Sequence, residues 1–284
     1  MPQFLTEMDE ETNDIVGLIS QACGRDISVY DPSFLAKSLQ KRLAATGITS
    51  FAAYRDCLRE NRTEAESLLD SLRITYSEFF RNPLTFALLE QRVLPALIER
   101  KALTGEEIRI WSAACAAGEE PYSIAILLDQ IASATGKAIP ARIFATDIGE
   151  EGLATARVGS YNASALRNVT LKHLQDCFTS RGDRYCILPR LRENVHFSAY
   201  DLLDERTSCP PSSIFGEFDL IFCNNMLFYY RVEIRSFLIA KLQRCMAPEG
   251  YLASGEAERE IVGTASGLRA VFPYAAIFTR RNRR

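Results

Sequence analysis

Two adjacent carboxylates stand in the most informative stretch of the chain. Glu119 and Glu120 follow Gly118 in ACAAGEEPYS, just after the apolar run IRIWSA (108–113) and just before Pro121, which opens a helical pattern. A further acid, Asp147, lies near the end of ARIFATDI (141–148), and Asn224 and Asn225 close FDLIFCNN (218–225). If those runs are parallel strands, these side chains gather at strand carboxyl ends, where open α/β sheets bind ligands. Carboxylates at a helix start repel a pyrophosphate and welcome a cation. The loop lacks G-x-G-x-x-G, and no G-x-x-x-x-G-K-[ST] occurs, so dinucleotide and P-loop chemistry find no support.

An acid ending the second strand is the expected partner of a ribose diol. Together with the Glu119-Glu120 pair, this favours a nucleoside carrying positive charge, such as S-adenosylmethionine with its ammonium and sulfonium. The other reading of the pair is an acidic first turn that complements the helix dipole. Hydrolytic and metal chemistry are short of candidates. There are two histidines, His173 and His196, and eight scattered cysteines with no C-x-x-C pair. No metal is expected, and the cysteines read as reduced, packed thiols.

The elements around these residues divide the chain. The first ~80 residues carry helical patterns only: Asp31-Pro32 opens a helix that places Phe34, Leu35, Leu39 and Leu43 on one stripe and stops at Gly47. Ser50 caps the next helix, and Thr63 with Glu66 reads as a capping box for another. From Glu107 onward strand-like runs alternate with helical patterns, which indicates a doubly wound α/β sheet. A helical domain and connector at 1–82 and a ligand-binding α/β domain at 83–284 follow. Within the latter, a small β-hairpin excursion is expected at 179–197, turning at Gly182-Asp183.

Of 284 residues 47% are hydrophobic, with 33 basic and 36 acidic side chains, which excludes a disordered chain. A sequence pI near 5.7 argues against a nucleic-acid partner. No apolar run reaches the ~18–20 residues of a membrane span, and the acidic start is unlike a signal peptide, so a cytoplasmic protein is expected.

ITYSEFFRNP (74–83), WSAACAAGEEPYS (111–123), FATDI (144–148), YDLLD (200–204) and CNNMLFYY (223–230) occur in an order and spacing that resembles the CheR-type chemoreceptor glutamate methyltransferases. The helical N-terminal part also resembles that family's helical domain, so the likeness covers nearly the whole chain. It implies a class I S-adenosylmethionine-dependent methyltransferase that esterifies receptor glutamates in chemotaxis-type signalling and releases S-adenosylhomocysteine. It further implies that Arg81 and Tyr229 are catalytic, and that Thr75, Ser77, Arg81, Glu119, Glu120, Asp147, Asp201, Leu202, Asn224 and Asn225 line the cofactor, with Glu120 favoured for the methionine ammonium.

Three motifs depart from the family pattern. Asn224 replaces an arginine, Asp201 replaces an asparagine, and Gly255-Glu256-Ala257-Glu258 replaces G-H-S-E. Less positive charge at the site weakens attraction for an anionic acceptor. A degenerate cofactor-binding relative with an altered acceptor or a regulatory role is therefore the alternative. The expected partner is an acidic receptor helix docked on Lys37, Lys41, Arg42 and Arg55. A receptor-tail tether is not expected, because the excursion is short, has one glycine, and carries Pro189.

Overall fold

The computed structural model describes residues 2–73, 76–213 and 216–281. The chain forms two compact units, Met1–Ile74 with Phe228–Arg235, and Thr75–Leu227 with Ser236–Arg284.

The first unit is helical: α1 (Pro2–Cys23), α2 (Pro32–Thr46), α3 (Phe51–Glu60) and α4 (Arg62–Leu72). Asp31 caps α2 by accepting from the Ser33 amide, and Gly47 ends it in the left-handed region at φ +72°. Leu35, Leu39 and Leu43 are buried with Ile15, Ile19, Leu58 and Leu68. The capping box expected at Thr63 does not form. Asn61, itself a strong cap, accepts from the Glu64 amide and starts α4 two residues earlier. Glu64 thereby turns inward, accepting from Arg42 Nε (3.0 Å) and Nη2 (2.5 Å) and from the Tyr54 hydroxyl (2.7 Å).

The segment 228–235 joins this unit through backbone bonds that sequence distance hides. The Asp31 amide donates to the Tyr229 carbonyl (2.8 Å), the Arg231 amide donates to the Val29 carbonyl (3.0 Å), and Tyr30 stacks on Tyr230.

The second unit begins, after the connector, with α5 (Pro83–Leu88), a π-helical turn at Leu89–Val93, and α6 (Leu94–Thr104). Then follow β1 (Ile108–Ala113), α7 (Glu119–Thr135), β2 (Ala141–Asp147), α8 (Glu150–Val158), β3 (Ser160–Asn162), α9 (Leu171–Cys177), β4 (Phe178–Arg181), β5 (Arg184–Ile187), α10 (Pro189–Arg192), β6 (Val195–Ala199) and β7 (Phe218–Cys223). α11 (Val232–Cys245), whose first turn belongs to the first unit, β8 (Met246–Ser254), α12 (Arg259–Gly263), β9 (Leu268–Ala270) and β10 (Ile277–Arg280) complete it.

The main sheet has the order β6-β2-β1-β7-β8-β10-β9, parallel except at β10. β7 is buried at every residue, as expected of a central parallel strand covered on both faces. The strand order reverses between β1 and β7, which makes their carboxyl ends the switch point.

Three features differ from the sequence reading. The small antiparallel sheet is three-stranded, β3-β5-β4, and ends at Ile187; β6 belongs to the main sheet. Its partner β3 is three residues long, too short to stand out in the sequence. Pro189 opens α10 and so does not block a strand edge. The segment ahead of α5 falls in the second unit, because Phe79 and Phe80 sink into that unit's core.

Candidate active site

The loop from β1 to α7 is held in an unusual shape. Ala114 (φ +61°) and Ala116 (φ +48°) adopt the left-handed region that only glycine occupies freely, so tertiary contacts must hold them there. The Cys115 amide donates to the Thr146 carbonyl (2.9 Å) and the Tyr161 hydroxyl to the Ala117 carbonyl (2.8 Å). Gly118, at φ +92°, is irreplaceable for a reason internal to the protein. A Cβ there would stand 2.7 Å from the Ala156 Cβ on α8, so the missing side chain admits a helix.

Glu120 projects to the switch point. Ser112, on β1, donates its hydroxyl to one carboxylate oxygen (2.6 Å), and Asn224, just beyond β7, donates its amide to the other (2.6 Å). Burial pushes the Glu120 carboxyl up to about 7; the Ser112 and Asn224 hydrogen bonds oppose this, the Glu258 charge adds to it, and Arg81 opposes it weakly. Burial also raises the pKa of Glu119, against a hydrogen bond from its own backbone and another from Ser77.

Asp147 ends β2 beside this pair. Its carboxylate accepts the amides of Ala116 (2.8 Å) and Gly149 (2.8 Å), which orients it at the strand end. On the next strand over, the chain leaving β6 turns at Asp201, whose side chain accepts the Leu203 amide (2.9 Å), and Leu202 is buried. The Tyr200 amide donates to the Asp147 carbonyl (2.9 Å), so the two strand ends are stitched together.

Arg81 lies between two left-handed residues, Phe80 (φ +53°) and Asn82 (φ +66°). Phe80 is anchored by its amide to the Ser123 hydroxyl (2.9 Å) and by stacking on His173. The Arg81 guanidinium donates to the Tyr76 carbonyl (3.1 Å) and lies over the Tyr76 ring at 5.2 Å.

Asn225, at φ +59°, is held by a residue that the sequence reading noted only as part of an altered motif. Glu258 is fully buried and accepts the amides of Asn225 (2.7 Å), Leu227 (2.6 Å) and Gly255 (3.0 Å). Ser112 was likewise missed, since a serine inside an apolar strand carries no distinguishing signal.

The second unit thus brings together Ser77, Arg81, Glu119, Glu120, Asp147, Asn224 and Asn225, with the turn at Asp201 and Leu202 joined to the Asp147 strand end. Thr75 lies outside the described residues. Tyr229 belongs to the first unit, where its ring packs edge-on against Phe34. Cys115 and Cys223 are buried thiols whose pKa burial raises strongly, so they pack as small apolar groups. Among the described residues no group of three or more His, Cys, Asp or Glu could hold a metal.

The donor set suits a polar, positively charged guest. Among the described residues Glu119 Oε2, Asn224 Oδ1, Asn225 Nδ2 and Ser254 Oγ are buried without a hydrogen-bond partner, which folded proteins rarely tolerate unless a ligand, ion or water satisfies them. An ammonium fits the two glutamates and the Asn224 oxygen, and the Asp147 carboxylate at the neighbouring strand end is an acceptor of the kind that hydroxyls require.

This strand order, with acids at the switch point and at the end of the neighbouring strand, defines a class I S-adenosylmethionine-dependent methyltransferase. Residues 75–267 match the CheR methyltransferase SAM-binding domain, and residues 10–72 match the CheR methyltransferase all-alpha domain. The chain belongs to the CheR methyltransferase family, and S-adenosylmethionine is its cofactor.

The chemotaxis protein methyltransferase of Salmonella typhimurium is 32% identical over 265 residues, covering 91% of this chain and 86% of that protein. An uncharacterized 104.1 kDa protein of Rhodobacter capsulatus is 30% identical over 252 residues, covering 89% of this chain; the chain spans only 26% of that relative. Among solved structures, the SAM-bound amino pentose methyltransferase CalS10 from Micromonospora echinaspora aligns with a TM-score of 0.30 at 15% identity, covering 56% of this chain and 48% of that one.

Proposed function

We propose that this protein forms methyl esters on glutamate side chains of acidic helical segments in chemoreceptor-like proteins, as part of chemotaxis-type signalling. The observation that carries this reading is Arg81. Its half-buried guanidinium is held by a carbonyl and an aromatic ring, with no ion pair among the described residues, so its charge is available to an anionic acceptor. The Salmonella relative's name gives the chemotactic setting.

The assignments follow the family likeness, and the chemistry of each side chain supports them. Glu120 holds the methionine ammonium, with Glu119 and Ser77 behind it. Asp147 accepts the ribose hydroxyls, Asp201 and Leu202 flank the adenine, and Asn224 and Asn225 line the wall between cofactor and acceptor. When bound, the cofactor supplies a methyl group made electrophilic by a sulfonium. Arg81 orients the acceptor carboxylate, and the motif likeness assigns Tyr229 to the same task. A glutamate with a reference pKa of about 4.3 is already ionised at neutral pH, so no side chain need take a proton. Catalysis rests on positioning and on exclusion of water.

Acceptor recognition is proposed to use the exposed Lys37 and Lys41 on α2, for which no ion pair exists among the described side chains. Arg42 and Arg55 are engaged internally, with Glu64 and Asp14, and are withdrawn from that role. Recognition is proposed to be tether-independent. The outer strands of the small sheet, β3 with three residues and β4 with four, offer only a short edge to an added strand.

The direct test is transfer of tritiated methyl from the cofactor into receptor-containing membranes. Label released by mild base as methanol supports an ester, whereas base-stable label refutes it.

A further inference from the structure

α11 carries a lysine where its spacing calls for an apolar residue. Leu238, Leu242 and Cys245 are buried on one stripe, and Lys241 lies on the same stripe, only 1% exposed. Burying an ammonium is costly unless its protons are matched. Here the matching groups are main-chain oxygens of a single turn. Lys241 Nζ donates to the carbonyls of Leu202 (2.9 Å) and Asp204 (2.7 Å). Its Nζ lies 5.0 Å from the Tyr200 ring centroid and 5.9 Å from that of Phe237. Burial lowers the Lys241 pKa, and the charges of Asp204 and Asp201 oppose that shift.

That turn follows β6 and is joined to the end of β2. Asp201 accepts the Leu203 amide, the Asp204 amide closes back on the Asp201 carbonyl (3.0 Å), and the Tyr200 amide meets the Asp147 carbonyl. The turn therefore has two fixed points, the β2 end at one side and Lys241 underneath. A core ordinarily closes such a loop with apolar contacts, which slide. Two charge-assisted hydrogen bonds from one buried nitrogen fix the carbonyl directions instead.

We propose that Lys241 is a positioning residue for the nucleoside end of the cofactor site: it sets the backbone of the 201–204 turn, which in turn presents Asp201 and Leu202 to the adenine. This rests on the site reading above and adds a residue remote from the cofactor.

The test uses the full chain and two probes, S-adenosylhomocysteine and 5′-methylthioadenosine, which keeps the nucleoside and lacks the amino acid. Losing a hydrogen-bonded charge predicts that Lys241→Met weakens both probes by about the same factor, on the order of tenfold. KM for the cofactor should rise by that factor while kcat at saturation holds, and Lys241→Arg should recover most of the loss. By contrast, Glu120→Gln should weaken S-adenosylhomocysteine and spare methylthioadenosine.

A folded Lys241→Met that binds both probes as tightly as the unaltered protein overturns the proposal, and so does a fall in kcat at unchanged KM. If Lys241→Met does not fold, nitrogen-labelled lysine in the unaltered protein decides. The ammonium resonance missing from Lys241→Arg must shift on adding methylthioadenosine, and an unmoved resonance overturns the proposal. Failure of the unaltered protein to bind either probe would remove the site reading itself, and the proposal with it.

Discussion

Buried acids sit at both ends of the same parallel strands, and their surroundings are opposite. At the amino end, Asp219 on β7 is 2% exposed and is met by Arg100 (3.4 Å), Lys101 (3.2 Å) and the Arg109 amide (2.9 Å). At the carboxyl end, Glu120 is met by two neutral donors, and Glu119 has a carboxylate oxygen without a partner. A fold that needs only stability neutralises its buried acid with its own cations, as at Asp219. Leaving Glu120 with neutral partners keeps it desolvated and underpaired, and this is the condition in which an incoming ammonium gains most.

The largest expected effect removes the Arg81 cation, whose charge reaches Glu120 at the carboxyl end. Arg81→Ala should lower kcat by about a hundredfold, the scale of losing one charge-stabilising donor, while S-adenosylhomocysteine affinity stays within about threefold. Steady-state kinetics with calorimetric titration checks both numbers. Intact turnover would remove Arg81 from the acceptor site.

The matched pair Glu120→Gln and Asp219→Asn tests the contrast directly. Glu120→Gln should cost on the order of tenfold to a hundredfold in S-adenosylhomocysteine affinity at little cost in Tm, because no buried charge is orphaned. Asp219→Asn should do the reverse, costing about 2 kcal/mol in denaturant unfolding and leaving affinity unaltered. Equal effects of the two variants on both readouts would erase the distinction.

A smaller effect comes from pH. The Glu120 pKa is raised to about 7, so the carboxyl is protonated below that value and cannot pair with an ammonium until it ionises. Affinity for S-adenosylhomocysteine should therefore rise with pH, by on the order of tenfold from about pH 6 to about pH 8, and the slope should vanish in Glu120→Gln. The sign for folding is opposite. An acid whose pKa is raised in the folded state loses stability as pH climbs from its ordinary value toward the raised one.

The smallest effect lies away from both ends. Lys37→Glu with Lys41→Glu should slow methylation a few-fold, about threefold at low salt, and flatten its salt dependence, since exposed charges act mainly on encounter. Adding Arg42→Glu should cost stability as well, because it breaks the buried pair with Glu64.

What could be read in the residues tracks the range of the physics. β1 and β2 were legible because buried strands are continuous apolar runs, and the α2 boundaries because Asp31-Pro32 and Gly47 act within a few residues. Gly118 shows the limit: its glycine was visible, yet its reason, the approach of Ala156, is a contact between elements that no local pattern encodes. Thr63 and Glu66 fit a capping box equally well on paper, but Asn61 competed and won.

The sequence by itself determined the alternation of strands and helices, the acids at the strand ends, and the motifs that mark the family, since these depend on residue type and short spacing. Only the tertiary structure decided that Ser112 and Asn224 grip Glu120, that Arg42 is consumed by Glu64, and that Lys241 reaches the turn after β6. Each of these joins groups from separate segments. A carboxylate's availability is fixed by which donors and cations the fold brings within about 3 Å, and burial then magnifies that difference.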